Sequence, residues 1–466
     1  MEREQLGSRI GFILLSAGCA IGCGNVWKFP WMAGQYGGGA FVLIYLIFLL
    51  ILGLPVMVME FSLGRAAQSS PIRLYQKLQK PKQKWHYHGK VALVANFLLM
   101  MFYTSVTGWI LYYFIQFLSG NMTGLSQQAS GKLFGNMLSN PYIMVGYMAI
   151  VVVLGFVILS FGLQKGVERV TKYMMLALFA LMIVLAINSF TLDGAKNGLI
   201  FYLKPDISKI NGNVIVGAMN QAFFTLSLGI GSMAIFGSYI GKERSLMGES
   251  LNILGLDTFV ALLAGLIIFP ACFTFDIEVG AGPSLLFEAM ASVFNNMTGG
   301  RIWGSLFFLF MFFAAMSTII AVFENILAMV REITGWSRVK GCIICGAIVL
   351  VLSIPCALGF NLLSGFQPFA SGSSVLDLED FLVSNCCLPL GSLCFVLFCV
   401  SKKGWGFDNF LEEANAGKGL KMPRWLKPYL TYVLPIIISI IFLVGILTFP
   451  FADNFTIWNW IKGIFS

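Results

Sequence analysis

Residues 18–30 read GCAIGCGNVWKFP and fall inside the first long apolar stretch of the chain. Three glycines in seven residues, then an asparagine, a lysine and a proline, interrupt what would otherwise be a membrane-spanning helix. Backbone N–H and C=O groups freed by such a break are costly in lipid. The segment is tolerable only where its backbone faces protein, water or a ligand.

The sequence around it is that of an integral membrane protein. Apolar residues make up 58% of the 466 and charged residues 11%, with a mean hydropathy of +0.83. A soluble domain carries roughly 25% charged residues. Runs long enough to cross a hydrocarbon layer of about 30 Å recur near 10–36, 40–63, 91–118, 141–163, 167–190, 213–240, 249–273, 301–330, 340–359, 376–400 and 429–451. These are eleven expected spans. They are continuous rather than alternating in hydropathy, which excludes a β-barrel. Arg3 and Arg9 before an apolar run superficially suggest a signal peptide. No small-residue cleavage site follows, so the run is read as a retained first span.

Lysine and arginine fix the expected orientation. With the N-terminus inside, 23 of the 30 fall in inside segments and six outside, with Lys28 within a span. The positive-inside rule then gives a cytoplasmic N-terminus and, with eleven spans, an external C-terminus in the cell membrane. The net charge of +9 is this same bias beside anionic lipid and calls for no nucleic-acid partner. Ten cysteines scattered through apolar segments read as small buried hydrophobes. His86 and His88 fall in a polar loop, and residues 402–428 read as a solvated connector with a short amphipathic helix.

A second break matches the first. The sixth span carries TLSLGIGS at 225–232, with Gly229 and Gly231 mid-membrane. Spans one and six are five apart, so residues 1–190 and 191–401 are expected to be two copies of one five-helix unit. An odd number of spans per copy inserts the two with opposite topology, leaving 402–466 as a connector and helix 11. Paired glycine-interrupted spans point to a transporter binding site. Freed carbonyls can hold a cation, and half-helix N-termini a carboxylate. Glu60, Asp257, Glu324 and Asp380 lie within or at the ends of spans, where charge is expensive and usually functional. Ser317 and Thr318 alone would read as hydroxyls bonding the preceding turn. No span carries a metal-hydrolase motif or a Ser–His pair, so no enzyme is expected.

Several stretches together resemble the neurotransmitter:sodium symporter family, the sodium-coupled amino-acid transporters of the LeuT fold. They are GNVWKFPWMAGQYGGGAF at 24–41, GLPVMVMEFSLGR at 53–65, NQAFFTLSLGIGSMAIFGSY at 220–239, FFAAMSTIIAVFE at 312–324 and LDLEDF at 376–381. The resemblance implies an all-α fold of two inverted five-helix repeats with broken first and sixth helices. It implies two Na+ sites and no organic cofactor. The first would use Ala20, Asn25, Thr225, Asp257 and the substrate's carboxylate. The second would use the carbonyls of Gly18, Ile21 and Ala314 with the hydroxyls of Ser317 and Thr318.

The same resemblance places the substrate carboxylate near Cys23, Gly24 and Tyr103, and its ammonium near Ala20, Phe224, Thr225 and Ser227. Leu99, Tyr103, Phe224, Ile230 and Val322 would line the side-chain pocket. Relatives that carry amines place an aspartate where Gly22 stands, so glycine implies an amino acid. The uncharged lining implies a neutral hydrophobic one; aliphatic and aromatic both stay open. Lys28 with Asp380 would gate the outside; Arg3 with Glu332, and Tyr239 with Glu324, the inside. Asp257 stands where the family often has asparagine, with Ala261 one turn on, which implies chloride independence. A twelfth span is missing, and the oligomeric state is open. The expected function is Na+-coupled symport by alternating access. A transceptor with the same site and a proton-coupled exchanger of the same fold are the alternatives.

Overall fold

The computed structural model describes residues 4–122, 125, 127–276, 285–453, 455–459 and 461. Arg3, assigned above to a gate, lies outside them. The described residues are helical, with two isolated bridges and no strand. Nine helices are long and apolar enough to cross a membrane, and a tenth span is a pair bent by 55° at a break. We number them by span. The bent pair is α1a (Arg9–Ala20) and α1b (Gly24–Gln35). There follow α2 (Gly39–Ala67), α3 (Tyr87–Ser119), α4 (Pro141–Ser160) and α5 (Leu163–Phe190). The expected sixth span is two shorter helices, α6a (Gly212–Thr225) and α6b (Ser232–Gly237), separated by residues 226–231. The rest are α7 (Leu246–Thr274), α8 (Gly300–Thr334), α9 (Arg338–Leu358), α10 (Val375–Val400) and α11 (Arg424–Leu447).

The breaks follow from backbone chemistry. Ile21 takes extended dihedrals (φ −73°, ψ 96°) and ends α1a. In the sixth span Ser227, Gly229 and Gly231 all have positive φ, at 49°, 93° and 80°. That region is open to glycine but strained for serine. Gly229 is also required by space: a side chain there would collide with the Leu388 carbonyl of α10. The freed backbone is satisfied by buried polar groups. Glu60 of α2 accepts from Gly229 N at 2.6 Å, and Asn96 of α3 donates to the Ile230 carbonyl at 2.9 Å.

The two broken spans sit at the centre. The first half of the first, α1a, packs on α7 and α8, α8 packs along α3, and α6b packs on α2. Burial grades with position: the most apolar window of α8 is 83% buried, against 33% for α5 and α11. The centre of the bundle is therefore protein, and the peripheral helices carry the lipid-facing surface.

Two expectations are corrected. His88 is no loop residue: α3 starts at Tyr87, and the buried His88 ring shares a 2.6 Å hydrogen bond with Tyr75 Oη. Nor is 402–428 a solvated connector. Its helix Phe407–Ala414 buries Phe407 and Phe410. Glu413 on that helix meets the fully buried Arg65 at 2.7 Å and Lys242 at 2.8 Å. A buried guanidinium needs such a partner, so the segment is fastened to α2 and to the loop before α7.

Candidate functional site

Five oxygens converge where α1a ends. Ser317 Oγ lies 2.9 Å from the Gly18 and Ala314 carbonyl oxygens and 3.4 Å from that of Ile21. Thr318 Oγ1 lies 3.1 Å from the Gly18 carbonyl and 3.3 Å from that of Ile21. Each hydroxyl has a single hydrogen to donate, so the cluster holds more lone pairs than protons. Bonding to the preceding turn accounts for part of it, through Ala314, but not for the approach to span one. A crowded, oxygen-only, acceptor-rich shell suits a hard cation. Gly18 permits it: a side chain there would press on Ser317 Cβ at 3.2 Å.

A second cluster surrounds Asp257 on α7. Asn25 Nδ2 donates to its Oδ1 at 2.8 Å and to its backbone carbonyl at 3.1 Å. Thr225 Oγ1 lies 3.2 Å from Oδ2, and Asn25 Oδ1 accepts weakly from Gly22 N at 3.4 Å. Asn25 and Asp257 are fully buried. Thr225 and Ala20 face one small cavity beside them.

That cavity lies between the two breaks and measures about 20 Å³, room for a single water. Of the expected substrate residues, Ala20, Gly22, Gly24, Leu99, Tyr103, Phe224, Thr225 and Ser227 border it, and so do Cys19, Thr318 and Leu388. Ile230 and Val322 do not; both are fully buried beyond its wall. Cys23 contributes its amide, which donates to Tyr103 Oη at 2.9 Å. Ser227 Oγ donates to the Cys19 carbonyl at 3.2 Å. A side chain at Gly22 would run into Tyr103 Oη and stand 2.7 Å from Thr318 Oγ1. Glycine there leaves that space to whatever enters.

Larger hollows lie at either end. One of about 450 Å³, at the end carrying the N-terminus, is bordered by Glu4, Tyr239, Glu324, Arg331 and Glu332. One of about 170 Å³, at the far end, is bordered by Lys28, Phe224, Ser384 and Leu388. The expected pair of Tyr239 and Glu324 forms, at 2.9 Å. The expected ion pair of Lys28 and Asp380 does not. Lys28 Nζ sits 3.8 Å over the Phe224 ring, and Asp380 accepts from Ser384 Oγ at 2.6 Å. Glu332 accepts from the Ser70 amide and hydroxyl at 2.8 and 2.6 Å.

Sequence reasoning missed much of the N-terminal closure. Arg338 ion-pairs with Glu324 and, at 3.0 Å, with Glu4; Arg331 reaches Glu4 at 2.7 Å. Burial raises the Glu4 carboxyl, but the two guanidiniums win and hold it below the usual carboxylate range. Glu168 on α5 accepts from Gly7 N and from Ser8 Oγ, both at 2.7 Å. Arg9 pairs with Glu249 at 2.9 Å. The signal in the sequence is an acid near the start of a span, at Glu168 and Glu249.

Comparison with known proteins places this geometry. A model of the sodium:neurotransmitter symporter family matches residues 3–129 and 135–465. The chain belongs to that family. It is 37% identical over 449 residues to the uncharacterized sodium-dependent transporter YhdH of Bacillus subtilis, covering 96% of this chain and 98% of that one. It is 32% identical to an uncharacterized sodium-dependent transporter of Haemophilus influenzae, covering 95% and 98%. The crystal structure of MhsT in complex with L-phenylalanine superposes with a TM-score of 0.86 at 36% identity, covering 95% of this chain and all of that one. This family member is therefore a multi-pass membrane transporter of the LeuT fold and no enzyme.

Proposed function

We propose that the chain is a Na+-coupled symporter of a neutral hydrophobic L-amino acid, working by alternating access without chloride. The observation that carries this reading is the five-oxygen cluster joining α1a to α8 at the break. A Na+ ion among these oxygens ties the half-helix to its neighbour, and its departure loosens that contact. A second Na+ is assigned to Ala20, Asn25, Thr225 and Asp257, with the substrate's carboxylate completing the shell. The Asp257 carboxylate supplies the negative charge that removes the need for an anion. The substrate carboxylate is assigned to the space beside Gly22 and Tyr103. Its side chain is assigned to the wall of Leu99, Phe224 and Leu388, which offers a charge no partner.

The basic N-terminal end faces the cytoplasm in this reading. Residues 1–190 and 191–401 form the two inverted repeats, followed by 402–466. Proteoliposome uptake of L-phenylalanine tests it. Thr318→Ala is expected to raise the Na+ concentration for half-maximal uptake several-fold while the protein stays folded. Replacing chloride with gluconate is expected to change nothing. Uptake that ignores a Na+ gradient, or collapses in gluconate, contradicts the corresponding part.

A further inference from the structure

Glu379 is a buried acid that nothing above uses. It lies in the first turns of α10, is 3% exposed, and neither carboxyl oxygen has a hydrogen-bond partner among the described residues. The other buried acids differ: Asp257 has Asn25, Glu60 has the Gly229 amide, Glu324 has Arg338, and Glu413 has Arg65. Glu379 faces the Cys356 thiol of α9, beyond which stands the Ser105 hydroxyl of α3. No cationic side chain among the described residues pairs with it. Asp377, on its own helix, is engaged with Ser374 at 2.7 and 2.8 Å, and Asp380 with Ser384.

These surroundings cannot hold an anion: two weak polar groups face the carboxyl, with a further carboxylate nearby. Burying an unpaired carboxylate costs far more than burying the neutral acid. Three oxygens and a thiol also make a poor shell for a hard cation. A proton is the ligand that fits. We propose that Glu379 is a proton-binding site: it takes up one proton from the far-end hollow when α10 closes over the centre, and returns it when α10 opens.

The coupling to closure comes from α10 itself. The same span carries Leu388, which borders both the central cavity and the far-end hollow. It also supplies Ser384 to that hollow. Opening the far end therefore moves the helix that carries Glu379, parting it from α9 and α3 and admitting water to its carboxyl. Closure binds a proton, so by linkage substrate binding that drives closure is favoured at low pH and weakens as pH rises.

The inference rests on the transporter reading, so two measurements are paired. L-phenylalanine binding to the purified full chain in Na+ is followed by calorimetry in buffers of different ionisation heat. The expected result is net proton uptake on binding, and a Kd that rises with pH toward a limit of about tenfold per pH unit for one linked proton. Glu379→Gln is expected to bind with that uptake gone and the pH slope flattened. Binding without proton uptake, or uptake preserved in Glu379→Gln, overturns the proposal. The second measurement needs no substrate. Dicyclohexylcarbodiimide, an apolar reagent for protonated buried carboxyls, is expected to label Glu379 at neutral pH, as read by peptide mass. Absence of that label overturns the proposal even if no amino acid binds, whereas labelling without amino-acid binding breaks the transporter reading alone.

Discussion

The two ends of the molecule are closed by different physics. At the N-terminal end, α1a is held by ion pairs and charge-assisted hydrogen bonds. Arg9 meets Glu249, Glu168 accepts from Gly7 and Ser8, and Glu4 bridges Arg331 and Arg338, the latter also holding Glu324. At the far end a lysine rests on the Phe224 ring, and Leu388 and Phe224 form an uncharged lid. Three of these acids, Glu168, Glu249 and Glu324, are buried, and a buried charge is expensive to strip of its partner. A cation over an exposed ring is worth about 0.5–1 kcal/mol, rising to about 2 when desolvated. The N-terminal end is thus a cooperative latch and the far end a light lid. In the proposed cycle, loss of Na+ from the α1a–α8 contact is what releases the latch, while the lid opens at modest cost.

The comparison can be broken in order of effect. Glu324→Ala removes the buried carboxylate that Arg338 and Tyr239 share, leaving Arg338 with Glu4 as its remaining acid, and is expected to cost about 3 kcal/mol of N-terminal closure. That corresponds to roughly a 100-fold rise in the opening constant, read as faster amide exchange across Arg9–Ala20. Unchanged exchange there removes the latch. Glu168→Ala leaves the Gly7 amide and Ser8 hydroxyl without their acceptor and is expected to cost about 1–3 kcal/mol by the same readout. Lys28→Ala is expected to speed release of bound L-phenylalanine by about fivefold, the loss of roughly 1 kcal/mol of cation–π contact. A much larger effect makes the far end a charged gate after all. Smallest of all is the coupling between Lys28 and Asp380. A double-mutant cycle is expected to give under about 0.5 kcal/mol, since the two do not touch.

What was legible in the sequence were features that lie on the chain itself. Glycines 18, 22, 24, 229 and 231 announced the breaks, and the Ser317–Thr318 pair needed only one contact across the bundle to acquire meaning. The closures were less legible because their partners come from helices far apart in sequence. Arg338 stands only fourteen residues beyond Glu324 but reads as one of many basic residues near a span end. Glu4 finds its partners at Arg331 and Arg338, more than 320 residues away, and Glu168 meets Gly7 and Ser8 across about 160 residues. The Lys28–Asp380 pair failed for a local reason. Phe224 lies under the ammonium and Ser384, one turn after Asp380, satisfies the carboxylate. Pocket residues followed the same rule. Leu99, Tyr103 and Phe224 border the cavity, whereas Ile230 and Val322 sit behind it. Leu388 came from a span whose approach depends on the contact between Gly229 and Gly391.

The central claim is that the oxygens at the first break bind Na+ and thereby the amino acid. The most direct measurement is equilibrium binding of L-phenylalanine and the other neutral amino acids to purified protein, in Na+ and in K+ at equal ionic strength. The account predicts at least one hydrophobic amino acid bound roughly tenfold or more tightly in Na+, with Thr318→Ala reducing that ratio. Equal affinities in the two salts across the whole panel would contradict it.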